Sequence, residues 1–241
     1  MFREINGHAV FGDSADILAK IQREEVNVVA CPMPMSDSAI TYVEALDLGW
    51  DGALMRRVRQ IEPSLQSFNA WILATQLCRC EEDMQSEVIY PSLYLLPDRP
   101  GKIELAEALA TAVRLYAAQA REGGSLEWKL KVKYPRASGA WHCDNLVDKR
   151  GFATLNPAAA GTYGRPNHTI LNQNRSDNDD YSNDYGEFGR DYMSDVIVIP
   201  PLHLAIWKGR LHPEPFIHAE VTRAYSAVPR LILMLGRSLS Q

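Results

Sequence analysis

Apolar and polar residues alternate strictly from Leu126 to Tyr134, where Leu126, Trp128, Leu130, Val132 and Tyr134 interleave with Glu127, Lys129, Lys131 and Lys133. A period of two sends the two sets to opposite faces of a strand, so this segment predicts a strand with one buried face. Shorter apolar runs bounded by Pro and Gly turns predict further strands from Ala140 to Leu146, Gly151 to Leu155, Asp195 to Ile199, Leu202 to Trp207, Phe216 to Glu220 and Arg230 to Leu235. Ahead of Gly123-Gly124 the period changes. Leu105, Ala108, Leu109, Ala112 and Leu115 recur at helical spacing, which predicts a helix from Ile103 to Arg121 that the glycine pair stops. Three more helices are predicted: one capped by Asp13 or Ser14 and running through Ile21, one from Ala39 to Leu48, and one from Ser64 to Leu77. Val26 to Cys31, rich in β-branched residues and ending at Pro32, predicts a strand among them.

The pattern therefore predicts an α+β chain, with a mainly helical region over residues 1–124 and a β region over residues 125–241. Many short strands between turns suit a sandwich or jelly roll, with the helices packed on one sheet to make one compact unit. At 241 residues, 46% hydrophobic and 23% charged, the chain can build a sizeable core. A net charge of −5 argues against a general nucleic-acid binder. No apolar run approaches the length of a membrane span, and the first seven residues do not read as a secretion signal. A cytoplasmic protein is expected. The four cysteines, Cys31, Cys78, Cys80 and Cys143, show no paired spacing of a zinc site and read as reduced thiols.

One long segment stands apart. Between Asn172 and Tyr192 there are six acidic residues, Asp177, Asp179, Asp180, Asp184, Glu187 and Asp191, against Arg175 and Arg190, together with Tyr181, Tyr185, Phe188 and Tyr192. Such a stretch inside a domain is either a lid or a solvated insertion. As a lid, its acids would favour a small-molecule substrate with a cationic group.

The chemistry rests on His142 and Asp144. Two apart on a strand, they share a face. His-x-Asp/Glu occurs three times, also as His212-Pro213-Glu214 and His218-Ala219-Glu220, so a single pair is weak evidence and Glu220 is a rival carboxylate. His142-Cys143-Asp144 is set apart by order: it opens the β region, and a second histidine, His218, and then Arg230 follow near its end. Two histidines and one carboxylate on one face of a metal are the ligand set of non-haem Fe(II) oxygenases. His8, His168 and His203 read as structural or surface histidines.

This order resembles the Fe(II)/2-oxoglutarate-dependent dioxygenase superfamily, in which His-x-Asp on an early jelly-roll strand is followed by a distal His and then a basic residue. The following strand from Gly151 to Asn156, the Gly-Thr turn of Gly161-Thr162-Tyr163, and Ile206-Trp207-Lys208-Gly209 as the turn before the distal-His strand also fit it. The resemblance covers roughly residues 126–236, and within the superfamily the chain looks closest to a bacterial family of unknown function. It implies a double-stranded β-helix core, with Fe(II) held by His142, Asp144 and His218. It also implies 2-oxoglutarate as co-substrate, its far carboxylate on Arg230 with a hydroxyl from Thr154 or Tyr163. Oxidation of an unactivated C–H bond would be coupled to release of succinate, with dioxygen as oxidant. Asp144 stands where related halogenases carry a small residue, which implies hydroxylation or desaturation. Ile232 departs from the pattern, which often has Ser there, and Arg223 is a rival basic residue. The same residues also fit an iron oxygenase that does not use 2-oxoglutarate, and a non-catalytic jelly-roll binding protein.

Overall fold

The computed structural model describes residues 3–5, 9–11, 21, 23, 26–49, 51–61, 70–78, 96–119, 125–133, 144, 148–159, 162–165, 197–209, 212, 216–220 and 229–238. Eleven strands among them form two sheets. In chain order these are β1 (Arg3–Ile5), β2 (Ala9–Phe11), β3 (Val28–Pro32), β4 (Ala70–Cys78), β5 (Ser125–Lys133), β6 (Lys149–Thr154), β7 (Thr162–Arg165), β8 (Ile197–Ile199), β9 (His203–Lys208), β10 (Ile217–Glu220) and β11 (Arg230–Ser238). The large sheet runs β1-β2-β3-β9-β6-β11-β5-β4 and the small one β10-β7-β8. All described pairings are antiparallel except β2 with β3. Three helices are described: α1 (Asp37–Glu44), α2 (Ala53–Ile61) and α3 (Lys102–Gln119).

The alternation read from β5 decides how the layers stack. Leu126, Trp128, Leu130 and Val132 are buried in one core with Leu231, Leu233 and Leu235 of β11, Ala153 and Leu155, and Leu204 and Ile206 of β9. Ala39, Tyr42 and Val43 of α1, Leu54 and Met55 of α2, and Leu105, Leu109, Val113 and Tyr116 of α3 pack into the same core. That face of the large sheet is therefore the helix-covered one. The residues in between face the other way. Val28, Ala30, Phe152, Ala205, Trp207 and Ile232 form a second core with Phe216 and with Ile197 and Ile199 of the small sheet. The small sheet covers this second face, and the space between the sheets holds the candidate site.

Local chemistry sets the helix ends. The Ser36 hydroxyl accepts from Ala39 N–H at 3.2 Å and caps α1, while Asp47 accepts from Ala53 N–H at 3.1 Å at the start of α2. Gly101, with φ of +93°, begins α3 against α1; a Cβ there would collide with the carbonyl oxygen of Ser38. Gly151 lets α3 approach the sheet, where the Tyr116 hydroxyl donates to the Lys149 carbonyl at 2.7 Å.

Several expectations are corrected here. The helix expected from Ser64 to Leu77 is a strand over its described part: β4 pairs with β5 from Ala70↔Lys133 to Cys78↔Leu126. Trp71, Ile72 and Thr75 favour the pleated backbone, and the neighbouring β5 supplies the hydrogen bonds that a helix would have made internally. Cys78 thus ends a strand and does not lie on a helix. Among the described residues, the first 124 contribute four strands beside their helices, and the large sheet takes strands from both sides of the expected boundary at Gly124. Ile206 to Lys208 is strand β9 and no turn, and Thr162 opens strand β7. The helix α2 and the strands β1 and β2 were not anticipated; β1 and β2 have three residues each, too few for a period to show. The helix expected through Ile21 falls largely outside the described residues. Among the described residues no helix is long and apolar enough to cross a membrane.

Candidate metal and co-substrate site

Strand β10 pairs with β7 so that His218 stands opposite Gly164, a residue without a side chain to crowd it. His218 is buried, its ring stacked on Phe216 with centroids 6.0 Å apart and tilted over Trp207 at 4.6 Å. Its Nδ1 lies 3.5 Å from the Phe216 carbonyl oxygen. Donation of Nδ1–H to that carbonyl leaves the lone pair on Nε2, the arrangement that metal-bound histidines use.

Nε2 points at Asp144, whose Oδ2 is 3.7 Å away. That separation is too long for a hydrogen bond. Two donors that each reach one ion over about 2.0–2.2 Å lie at most about 4.4 Å apart, so the pair fits a shared metal ion. The two residues come from different layers: His218 from the small sheet, Asp144 from the segment between β5 and β6.

Asp144 is contacted at both oxygens, by a hydrogen bond at one and at the other by an ion pair in which Arg150 Nε makes no hydrogen bond among the described residues. Trp207 Nε1 donates to Oδ2 at 2.7 Å, and Arg150 Nε lies 3.5 Å from Oδ1. Arg150 and Trp207 stand directly opposite each other in the β6–β9 ladder. Neither was singled out from the sequence. The odd-numbered alternation of β9 and even-numbered alternation of β6 was a usable signal for their common face, but nothing local indicated that they reach Asp144.

Arg230 begins β11 and is 4% exposed. Burial lowers its pKa to about 10, because the low-polarity surroundings oppose the charged form. Thr154 stands opposite Ile232, two residues along β11, and so shares the face of Arg230. The Thr154 hydroxyl is buried and has no hydrogen-bond partner among the described residues. The same holds for Thr162, which sits on β7 opposite Glu220. Tyr163 stands opposite Ala219, one step out of phase with His218. The backbone around Arg230 is fixed by Asn156, also unforeseen: its amide donates to the Pro229 carbonyl at 2.8 Å and its carbonyl accepts from Leu231 N–H at 2.9 Å.

Of the predicted ligand set, Asp144 and His218 are brought together. His142 lies outside the described residues, as do Trp141, Cys143, Arg223 and the acidic segment from Asn172 to Tyr192. Among the described residues, no third His, Cys, Asp or Glu joins the pair. Glu220, the rival carboxylate, is on β10 with His218 and opposite Thr162.

No family model and no curated protein matches the chain. Solved structures of similar fold include the dioxygenase for auxin oxidation 1 of Arabidopsis thaliana in its 2-oxoglutarate complex. It is 11% identical, with 97% of this chain and 93% of that one covered and a TM-score of 0.47. A non-haem, α-ketoglutarate-dependent carbocyclase from nogalamycin biosynthesis is 12% identical over 92% of this chain and 82% of its own, with a TM-score of 0.45. An N-substituted L-amino acid dioxygenase of Burkholderia ambifaria is 14% identical over 91% and 85%, with a TM-score of 0.43. These likenesses are distant, and the chemistry of the chain is read from its own side chains.

Proposed function

We propose that the chain is a non-haem iron oxygenase that couples decarboxylation of 2-oxoglutarate to oxidation of a C–H bond in a small-molecule or amino-acid-like substrate. The observation that carries this reading is the 3.7 Å approach of His218 Nε2 to Asp144 Oδ2 in the space between two sheets. The strand order supports it as well: β5-β11-β6-β9 across from β10-β7-β8, two facing sheets sharing interleaved strands, is consistent with a double-stranded β-helix.

In this reading His142 joins Asp144 and His218 as the third ligand. Bound iron and 2-oxoglutarate would supply dioxygen activation and the electrons for it. The remaining work belongs to the protein. Arg230 takes the far carboxylate of the co-substrate, since a buried guanidinium offers two parallel N–H donors to a planar anion. The Thr154 hydroxyl donates to the same carboxylate; Tyr163, out of phase with His218 on the small sheet, is not positioned for that role. Phe152, Phe216, Ile197, Ile199 and Ile232 exclude water from the space beside the ligands. Both histidines bind metal in the neutral form, so acid releases the metal.

Anaerobic titration with Fe(II) and then 2-oxoglutarate tests the reading. The expected result is a visible charge-transfer band in the wild type and its loss in His142→Ala and His218→Ala. Equal iron content in wild type and both variants would overturn it. Iron binding without the band, and turnover without succinate, would transfer the site to an iron oxygenase that does not use 2-oxoglutarate.

A further inference from the structure

We infer that Trp207 and Arg150 are positioning residues, a two-pronged clamp that sets the orientation of Asp144, and that Trp207 also braces His218. The inference rests on the iron-site reading above and concerns how this particular chain holds its ligands.

The first ground is that the clamp is built into the sheet. Arg150 and Trp207 are cross-strand partners, so their side chains leave the same face of the large sheet side by side. One meets each carboxylate oxygen: the indole N–H on Oδ2 at 2.7 Å, the guanidinium on Oδ1 at 3.5 Å. A carboxylate free at both ends rotates about its last side-chain bond. Here both ends are engaged, and the oxygen aimed at His218 is the one that takes the short indole bond.

The second ground is that Trp207 cannot easily move. It is 1% exposed and lies between Phe152, at 5.5 Å between ring centroids, and Phe216, at 5.6 Å. Its ring also meets His218 at 4.6 Å. One rigid side chain thus touches both ligands, and through it the large sheet fixes the distance between Asp144 and a histidine on the small sheet. Partners behind a metal ligand that are held in this way typically contribute about 10- to 100-fold to metal affinity.

Two measurements test the clamp. In the metal-free protein, the indole N–H resonance of Trp207 is followed by 15N-labelled NMR in wild type and Asp144→Ala. The expected result is an upfield shift and faster solvent exchange in the variant. In the second, Co(II) is titrated into wild type, Trp207→Phe, Arg150→Gln and Leu109→Ala. Trp207→Phe keeps an aromatic ring but no N–H, and its Co(II) dissociation constant is expected to rise about 10- to 100-fold. Arg150→Gln is expected to give a smaller rise in the same direction. Leu109→Ala, which loosens the helix-covered core on the other face of the large sheet, is expected to bind Co(II) within about 2-fold of wild type, as a change away from the site should. In turnover, Trp207→Phe should lose kcat while KM for 2-oxoglutarate stays unchanged, because Arg230 is untouched. Trp207→Phe that binds Co(II) as tightly as wild type, or an indole resonance indifferent to Asp144→Ala, would overturn the clamp and leave the iron site standing. A wild-type chain that takes no metal would end the iron-site reading and the clamp's role with it.

Discussion

Asn156 holds the main chain on both sides of Arg230, donating to the Pro229 carbonyl and accepting from the Leu231 N–H. It lies just past the end of β6, where the ladder with β11 stops, and takes over from that ladder with its side chain. The first residue of β11 is therefore as fixed as one in mid-strand. Asn156→Ala should leave the buried Leu231 N–H and the half-buried Pro229 carbonyl without these bonds and cost about 1–3 kcal/mol. Its KM for 2-oxoglutarate should rise while its Fe(II) affinity stays at the wild-type value. Thermal melting and a co-substrate titration check the two halves separately.

Burial lowers the Arg230 pKa to about 10, so below that pH its charge opposes folding. The sign follows from proton linkage: the unfolded chain binds the proton more tightly, and stability from this group rises as pH climbs above about 10. A bound carboxylate offsets the same cost at neutral pH. 2-Oxoglutarate should accordingly raise Tm in the wild type and leave that of Arg230→Met unmoved. A ligand-induced Tm shift of wild-type size in Arg230→Met would rule out this role.

Cys31 and Tyr42 carry the opposite sign. Burial raises the Cys31 thiol from 9.0 to about 11 and the Tyr42 phenol, chiefly by the same cause, from 10.0 to about 12. Their contribution to stability is complete below the unfolded values and is lost as pH rises through about 9 to 11 for Cys31 and about 10 to 12 for Tyr42. Urea midpoints should fall over that range, less steeply in Cys31→Ala. At pH 8 peptide mapping should find Cys31 unalkylated by iodoacetamide until urea unfolds the chain, since the neutral thiol is a poor nucleophile.

Gly151 has no room for a side chain: a Cβ would sit 2.8 Å from both Leu235 Cβ and Tyr116 Cδ2. Gly151→Val should push α3 off the sheet and break the Tyr116–Lys149 hydrogen bond. Overpacking of this kind costs about 1–3 kcal/mol, to be read from urea denaturation. Gly49→Ala, whose nearest neighbour at 3.3 Å is an exposed aspartate oxygen, should cost less than Gly151→Val.

By itself the sequence determined most of the later strands, because a strand with one buried face writes its period into the chain. Val132 and Leu130 had to face one way and Lys131 the other, and β5, β6, β8, β9, β10 and β11 lie where alternation or apolar runs placed them. Helix α3 was legible for the same reason, its apolar positions recurring over five turns. Asp144, His218 and Arg230 could be singled out by residue type and order along the chain. Tertiary structure alone decided the rest. The choice between helix and strand for Ala70–Cys78 was made by the open edge of β5, a partner absent from the local sequence. The contact of Trp207 and Arg150 with Asp144, and of Asn156 with the backbone around Arg230, was decided by strand register. Register is a property of two segments together, set by which faces must be buried against each other, and no single stretch of sequence contains it.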